Sequence, residues 1–443
     1  MNSIEALTLA EREPERMCAR FAAMHSADAA ELLLDCTDLQ QRLTLFYLIP
    51  DELQGDVLLD LPEGMQEDLL AQLHAEDIGD VVEHLDSDDA TDILQAIDRK
   101  IADEVMEHLE PDEQREIKPL LTHDEESAGG LMQSELFKVR ADWNVERVLR
   151  VLRRWGQEIE HLHFIYVVDD EDRLIGIVSL HELLFLEPDQ QMDAVARRKF
   201  ISTTPDQDQE EVARLFDKYA LMAIPVLDEN GVLVGRITAD DIIDVVREEA
   251  TEDMFHLAAL SDQDDLAESV PITAWRRGVW LLVNLGTALL ASSVIAQFEH
   301  TIATIVALAV LMPIVASMGG IAGTQTLTVI VRGIALGRIT FDNAKKVLLK
   351  ELRVSCFTGV IFALVTGGVS SLWFPQYGWL LGLVIALAML INLLAAGLAG
   401  ALIPLSLQRL HIDPALASGT ILTTVTDVVG FFAFLGLASL ILL

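Results

Sequence analysis

Cysteine is scarce in this chain. Among 443 residues only Cys18, Cys36 and Cys356 are present, and they show neither paired spacing nor the spacing of metal ligands. This pattern argues against a disulfide scaffold and is typical of a reducing compartment. The sequence also lacks a P-loop, metal-binding histidine spacing, and a Ser/His/Asp or Cys/His arrangement. These absences argue against an enzyme and against an ATP-driven pump.

Basic residues are few. The chain has 31 Lys and Arg against 70 Asp and Glu, and its formal net charge is −39. Residues 271–443 hold nine basic and five acidic side chains, so the first 270 residues carry 22 basic and 65 acidic ones, a charge of −43. Such a charge repels phosphate, which argues against nucleic acid as a partner. It also favours divalent cations, although the alternative is that acidity only keeps a large domain soluble.

The first 30 residues contain no apolar segment of the kind found in signal peptides. We therefore expect no cleavable signal, and we expect membrane insertion to begin at the first membrane helix, near Gly278.

Residues 32–121 repeat every 24 residues, and each repeat reads as two short helices. The apolar columns at this period include Leu45, Leu69, Ile93 and Ile117, and also Val57, Val81 and Val105. Repeats of this kind stack into an α-solenoid. Asp88 and Asp92 lie four residues apart, where they repel each other on a helix unless a cation lies beside them. The alternative is a solvated helix N-terminus, where acidic residues are favoured.

A second repeat follows. Residues 166–179 match residues 225–238 at an offset of 59 without gaps, and both copies predict strand, acidic turn, strand and then helix. This order resembles a tandem pair of CBS domains, which implies an α/β module that dimerises and binds adenosine nucleotides or ions. Thr238 and Asp241 match the hydroxyl and the carboxylate of the family's ribose-contacting pattern. Use of the fold purely as a dimer interface is the alternative.

Five apolar segments are long enough to cross a membrane as helices. They are residues 278–298, 302–331, 354–373, 379–403 and 420–443, with approximate ends. The clusters of Lys and Arg all fall on one side, which puts the soluble half in the cytoplasm and the C-terminus outside. The second span contains Pro313, Gly319, Gly320 and Gly323. These residues predict a discontinuous helix, which is tolerated only where it lines a cavity or is covered by protein.

The last span contains one carboxylate, Asp427. An ionisable group at membrane depth is costly and normally faces a bundle interior or a wet path. Thr420, Thr423 and Thr424 precede it by seven, four and three positions, so a helix would place all four on one face. This polar stripe suits a hydrated cation and predicts a pore. The alternative is an Asp that packs between helices through hydrogen bonds.

Motifs along the whole chain point to one family. They are residues 312–320, 331–337, 413–418 and 424–427 in the apolar half, and 127–132 and 250–253 in the acidic half. Together they resemble the MgtE family of magnesium channels and transporters. The resemblance implies a homodimer in a bacterial inner (plasma) membrane, with a pore on the two-fold axis built from the second and fifth spans. It further implies Asp427 as the pore carboxylate and hydrated Mg2+ as the cargo.

The resemblance also implies that Mg2+ binds the cytoplasmic domains and closes the pore when the internal concentration is high. The matching sensing residues are Asp88, Asp92, Asp208, Glu210, Asp241, Glu249, Glu252 and Asp253. The pore-lining residues predicted from the polar stripe and the second span are Thr420, Thr423, Thr424, Pro313, Gly319 and Gly320. The chain departs from the family pattern at Ile321 and Thr324, where Asn is usual, and at Ala220, where Asp is frequent.

We therefore expect a multidomain chain. Its predicted parts are an α-solenoid N-domain (1–126), an α/β tandem CBS pair (127–190 and 191–248), a long connecting helix (249–270) and an all-α membrane domain (271–443). The expected ligands are Mg2+ and an adenosine nucleotide such as ATP, and the expected partners are a second copy, divalent cations and membrane lipid. The alternatives are a Mn2+ or Co2+ transporter of the same architecture and a non-conducting membrane sensor that reads nucleotide.

Overall fold

The computed structural model describes residues 3–155, 159, 161–258, 260, 270–410, 412–416 and 418–443. The chain forms two compact units, Met1–Arg247 and Glu248–Leu443.

Short helices fill the described part of the first 120 residues. They are α1 (Ser3–Arg12), α2 (Pro14–Phe21), α3 (Ser26–Leu34), α4 (Leu39–Phe46), α5 (Asp51–Leu59), α6 (Glu63–Leu70), α7 (Ala75–Val82), α8 (Ser87–Ala96), α9 (Arg99–His108) and α10 (Pro111–Leu120). Two helices occupy each 24-residue repeat, as predicted. Leu45, Leu69, Ile93 and Ile117 are all at most 4 % exposed, so the periodic columns form the core of the solenoid.

The rest of the first unit alternates strands and helices. The elements are β1 (Lys138–Arg140), α11 (Val145–Trp155), β2 (Phe164–Val168), β3 (Leu174–Ser179), α12 (Leu180–Leu183), α13 (Met192–Val195), α14 (Gln209–Tyr219), β4 (Ala223–Leu227), β5 (Leu233–Thr238) and α15 (Ala239–Leu257). β1 pairs with β2 in parallel, and β2–β3 and β4–β5 are antiparallel pairs. β4 and β5 begin 59 residues after β2 and β3, which confirms the predicted repeat.

Two predicted positions lie in this α/β region: Ala220 and the start of the connecting helix. Ala220 follows the last residue of α14 and has φ 50°, so it lies in the left-handed region that side chains with a Cβ adopt at a cost. The predicted connecting helix begins earlier than residue 249, because α15 starts directly after β5 at Ala239. α15 ends at Leu257, and the predicted continuation over residues 261–269 lies outside the described residues.

The described part of the second unit contains five helices that are long and apolar enough to span a membrane. They are α16 (Val270–Ala296), α18 (Ala307–Ala335), α19 (Ala344–Trp373), α20 (Gly378–Arg409) and α21 (Ser418–Ile441). A short helix, α17 (Glu299–Thr304), precedes α18. α20 lies at the centre, where Val384, Ile385 and Met389 are fully buried and pack with residues of α18, α19 and α21.

The prediction that the second span is interrupted is wrong. α18 runs without a break from Ala307 to Ala335 and contains Pro313 and the three glycines. Pro313 is the seventh residue of α18, so it costs the helix the hydrogen bond to the Ala309 carbonyl but does not end it. The glycines instead permit close packing. A Cβ at Gly319 would collide with Asn392 of α20, and one at Gly323 would come within 2.8 Å of the Leu422 side chain of α21.

Candidate ion pathway and acidic sites

α18 and α21 line a cavity of about 800 Å3. Its lining residues are Ala316, Ser317, Gly320, Ile321, Thr324, Gln325, Thr328, Val329, Thr423 and Asp427. The positions from α18 recur every three or four residues, so they form one stripe of the helix. Asp427 supplies the carboxylate in this lining. The cavity therefore combines a single negative charge with hydroxyl and amide oxygens.

The threonine hydroxyls of this cavity donate their protons to the helix backbone. Thr324 donates to the Gly320 carbonyl at 3.0 Å, Thr328 to Thr324 at 2.9 Å, and Thr423 to Gly419 at 2.9 Å. The hydroxyl oxygens then keep lone pairs that accept hydrogen bonds. Because a hydrated cation presents water hydrogens outward, a wall of acceptors suits the hydrate better than the bare ion.

The structure divides the predicted pore-lining residues. Gly320, Thr423 and Asp427 lie on the cavity. Thr420 is only 8 % exposed, and its carbonyl accepts the Thr424 hydroxyl at 2.7 Å. Gly319 faces Asn392, and Pro313 is not part of the cavity lining. Of the four polar residues of α21 that are predicted to line the pore, only Thr423 and Asp427 lie on the cavity.

Sequence reasoning did not single out Ser317, Gln325 and Thr328. They are spaced at helical intervals with Gly320 and Thr324 on α18, and this spacing was a usable signal. It was obscured because the glycines in the same segment were interpreted as a break in the helix.

A second group of acidic residues lies in the first unit, at the N-termini of α8 and α15. The backbone N–H and the hydroxyl of Ser87 donate to the Glu135 carboxylate at 3.1 and 2.9 Å, which fixes the first residue of α8. Asp88 follows and is only 5 % exposed. Within the described part of the chain its Oδ1 has no hydrogen-bond partner. An unpaired carboxylate oxygen in such a place is costly, because burial disfavours its charge.

The carboxylates around Asp88 act on its pKa in the same direction as its burial. Burial, with the nearby Asp89 and Asp241 carboxylates, raises the pKa of Asp88 well above its ordinary value. Burial and the charges of Asp241 and Asp92 raise the pKa of Asp89 to about 8. Asp92 itself is exposed, one turn along α8 from Asp88. The predicted pair of Asp88 and Asp92 is therefore part of a larger acidic cluster, which also includes Asp89 and Asp241.

Asp241 is tied to Thr238 at the start of α15. Its Oδ2 accepts hydrogen bonds from the Thr238 backbone N–H at 3.2 Å and from the Thr238 hydroxyl at 2.8 Å. Burial also raises the pKa of Asp241, with the charges of Asp240 and Asp86 contributing. The two predicted ribose contacts therefore lie together, and one of them also belongs to the acidic cluster.

Asp208 and Glu210 lie at the N-terminus of α14. The Asp208 side chain accepts the Glu210 backbone N–H at 2.9 Å, and Glu210 pairs with Arg214 at 2.7 Å. This is the geometry of a capped helix whose first turn is acidic.

The connecting helix contributes a third acidic group, which lies in the second unit. His256 Nδ1 is 2.8 Å from Asp413 Oδ2 and 3.5 Å from Glu252 Oε1, and one ligand atom from each residue lies within 4.8 Å of the others. Asp413 also accepts the backbone N–H groups of Ala415 and Leu416 at 2.9 and 3.0 Å. Sequence reasoning singled out Glu252 but missed His256 and Asp413 as possible ligands.

Comparison with known proteins assigns the family. A model of the MgtE family, described as divalent cation transporters, matches residues 312–437. Models of the MgtE intracellular N domain and of CBS domains match residues 24–126, 128–188 and 192–248. The magnesium transporter MgtE of Bacillus subtilis is 34 % identical over 327 residues, which cover 74 % of this chain and 72 % of the relative. The chain belongs to the MgtE family.

Further relatives of this MgtE chain agree. The magnesium transporter MgtE of Thermus thermophilus is 36 % identical over 335 residues, covering 75 % of this chain and 74 % of the relative. A crystal structure of the cytosolic domain of the Mg2+ channel MgtE in complex with ATP superposes with a TM-score of 0.51 and 34 % identity. It covers 54 % of this chain and 97 % of that one. The predicted fold class is thereby confirmed, and the chain is a multi-pass membrane transporter, not an enzyme.

Proposed function

We propose that this chain is a Mg2+ transporter in which the hydrated cation passes Asp427. The observation that carries the proposal is the position of Asp427 and Thr423 on one cavity with the polar stripe of α18. The relatives whose names specify a cargo are magnesium transporters. Mg2+ loses its water reluctantly, so a wide lining of acceptors around one carboxylate suits the hydrate. Mn2+ and Co2+ are the alternative cargoes, because their hydrates have similar sizes.

We further propose that the transporter is a homodimer with the pore on its two-fold axis. The cavity lies on α18 and α21, and Ile321 and Thr423 are exposed there. A second copy would add a second Asp427 carboxylate across the axis and double the charge that attracts a divalent ion. The membrane would be a bacterial inner membrane, with the acidic half in the cytoplasm and the C-terminus outside, because the basic clusters fall on one side.

The acidic groups are proposed as sensors that close the pore when cytoplasmic Mg2+ is high. In the acidic cluster a divalent ion would take the free Oδ1 of Asp88 and offset its repulsion from Asp89 and Asp241. Asp92 lies one turn away, and Asp208 and Glu210 are proposed to bind on α14. On the connecting helix the ligands would be Glu249, Glu252 and Asp253, joined by His256 and Asp413.

An adenosine nucleotide is proposed to bind the second CBS domain at Thr238 and Asp241, as the ATP complex of the related cytosolic domain suggests. In the structure these side chains bond each other, so a bound ribose would have to compete with that hydrogen bond. Because Asp241 also belongs to the acidic cluster, nucleotide and divalent cation would influence each other's binding there.

The domain boundaries proposed above, with the connecting segment over 249–270, assign this cluster to the N-domain and the second CBS domain.

The decisive experiment is Mg2+ flux into proteoliposomes with internal Mg2+ kept low. We expect wild type to conduct, and Asp427→Ala and Asp427→Asn to insert and dimerise but fall to the level of empty liposomes. Asp342→Asn, which neutralises a carboxylate outside the membrane helices, is the matched control and should conduct. Normal uptake by both Asp427 variants contradicts the pore assignment. If wild type does not conduct, the non-conducting sensor becomes the better explanation, and nucleotide binding at Thr238 and Asp241 becomes the next measurement.

A further inference from the structure

Asn392 lies near the middle of α20 and is completely buried. All residues of α20 are described, and Asn392 is the only polar side chain among its buried ones. Its amide Nδ2 donates a hydrogen bond of 2.9 Å to the Val315 carbonyl of α18. Its Oδ1 has no hydrogen-bond partner in the described part of the chain.

Two glycines make room for this amide, one on each of the helices that line the cavity. A Cβ at Gly319 of α18 would lie 2.9 Å from Asn392 Cγ and closer still to Nδ2. A Cβ at Gly430 of α21 would lie 2.7 Å from Nδ2 and 3.2 Å from Oδ1. The Asn392 amide is therefore held between the backbones of α18 and α21, where no side chain larger than hydrogen fits.

This contact is close to the cation pathway along both helices. Gly430 follows Asp427 by three residues, about one turn of α21. Val315 precedes Ser317 by two residues, and Gly319 precedes Gly320, and both followers line the cavity. A shift of either backbone at Asn392 would therefore change the distance between the Asp427 carboxylate and the polar stripe of α18.

Space filling alone does not explain the choice of residue. A valine is close to asparagine in size and leaves no polar atom unpaired in an apolar core, whereas Asn392 keeps an Oδ1 without a partner. The directional bond to the Val315 carbonyl is what valine lacks. Such a bond fixes the rotation and height of one helix against another, which apolar packing specifies less strictly.

We propose that Asn392 is a positioning residue of the cation pathway. Its amide sets the relative register of α18 and α21 and thereby the geometry around Asp427. This inference rests on the proposed function, because the geometry that Asn392 sets matters only if the cation passes Asp427.

The test measures Mg2+ and Ca2+ flux into proteoliposomes for the full-length protein. The variants are Asn392→Val, which is close to asparagine in size but has no hydrogen-bonding group, and the double variant Asn392→Ala with Gly430→Ala, which moves a methyl group into the vacated space. The matched control is Met389→Leu, a volume-conserving change on the same buried face of α20. Thermal unfolding in detergent and dimer content establish that each variant is folded.

We expect the folded Asn392 variants to lose Mg2+ flux or to change the Mg2+-to-Ca2+ flux ratio about tenfold, as for a site displaced by a fraction of an ångström. Met389→Leu should keep both. A smaller amount of folded protein lowers both fluxes together and leaves the ratio unchanged, so the ratio separates positioning from stability.

Three results would overturn the inference. If wild type conducts and the folded Asn392 variants have wild-type flux and ratio, the residue only fills space, and this inference alone is wrong. Failure of both variants to fold would assign Asn392 to folding and not to the pathway. If wild type carries no Mg2+ in the same assay, the proposed function fails and this inference fails with it.

Discussion

At the scale of single residues, Asp88 shows how an acidic chain stores an unfavourable charge. Its carboxylate is almost fully buried and is surrounded by other carboxylates, and burial raises its pKa well above the ordinary value. The unfolded chain would leave this group ionised above about pH 4. The folded state must therefore take up a proton or bury a charge, and either process lowers the free energy of unfolding.

We accordingly expect Asp88→Asn to stabilise the first unit when no divalent cation is present. The amide removes the cost of protonation, and because that cost increases with pH through the raised pKa of Asp88, the gain should be larger at pH 8 than at pH 5. Mg2+ should raise the unfolding temperature of wild type more than that of the variant, which has lost a ligand. Thermal unfolding with and without Mg2+ measures both effects.

Asp80→Asn is the control for this substitution. Asp80 is exposed on α7, so its neutralisation should change neither the unfolding temperature nor the Mg2+ response. Loss of stability in Asp88→Asn without Mg2+, together with an undiminished Mg2+ effect, would show that Asp88 is not a ligand.

The residues that sequence reasoning located and those it missed differ in what defines them. Asp427 was predicted because a carboxylate within an apolar span is conspicuous by itself, and Thr423 because helical spacing places it on the same face. Asn392 and His256 are defined by contacts with residues far along the chain, at positions 315 and 413. No local pattern contains that information, so these residues emerged only when the packing of the helices was known.

At the scale of elements, internal repetition made the soluble part predictable. The period of 24 placed two helices in each repeat, and the offset of 59 placed β4 and β5 from β2 and β3. In the apolar half, each predicted span covers only the apolar part of its helix, and the helix itself can be longer. α19 begins ten residues before the predicted span because its first turns carry Lys345, Lys346 and Lys350 and remain helical outside the apolar region.

The double glycine of α18 shows why a helix break could not be inferred from composition. Glycine weakens a helix, but in a membrane it also lets helices approach closely, and the two uses look alike in sequence. A Cβ at Gly319 would meet Asn392, whereas a Cβ at Gly320 would have no atom within 4 Å apart from those of its own stretch of helix. Adjacent glycines therefore have different roles.

This difference leads to a matched pair of substitutions. Gly319→Ala should lower the unfolding temperature of the protein in detergent, because the added methyl group collides with the Asn392 amide and overpacking of this kind costs about 1–3 kcal/mol. Gly320→Ala should unfold like wild type, since its methyl group enters open space. Equal unfolding temperatures for the two variants would mean that the close approach of α18 and α20 at Gly319 does not limit stability.

At the scale of the whole molecule, charge is divided as sharply as hydropathy. The first 270 residues carry a formal charge of −43, and the remaining residues have a small positive excess. Like charges at this density oppose compaction. Monovalent salt screens mainly those charges that are further apart than a Debye length, about 8–10 Å at ordinary ionic strength. A divalent ion held between carboxylates offsets the repulsion locally and more strongly.

We therefore expect millimolar Mg2+ to protect the acidic half of the purified protein from proteolysis. The comparison must hold ionic strength constant with NaCl, because a general screening effect would protect equally in both salts. Combined neutralisation of Glu249, Glu252 and Asp253 should weaken the protection, since these residues are proposed to bind Mg2+ on the connecting helix. Neutralising three acidic residues outside the proposed sites, Glu63, Glu67 and Asp68 of α6, should leave it intact. If cutting is equal with and without Mg2+, the acidity serves only solubility, and the sensing proposal is wrong even if Asp427 still carries the flux.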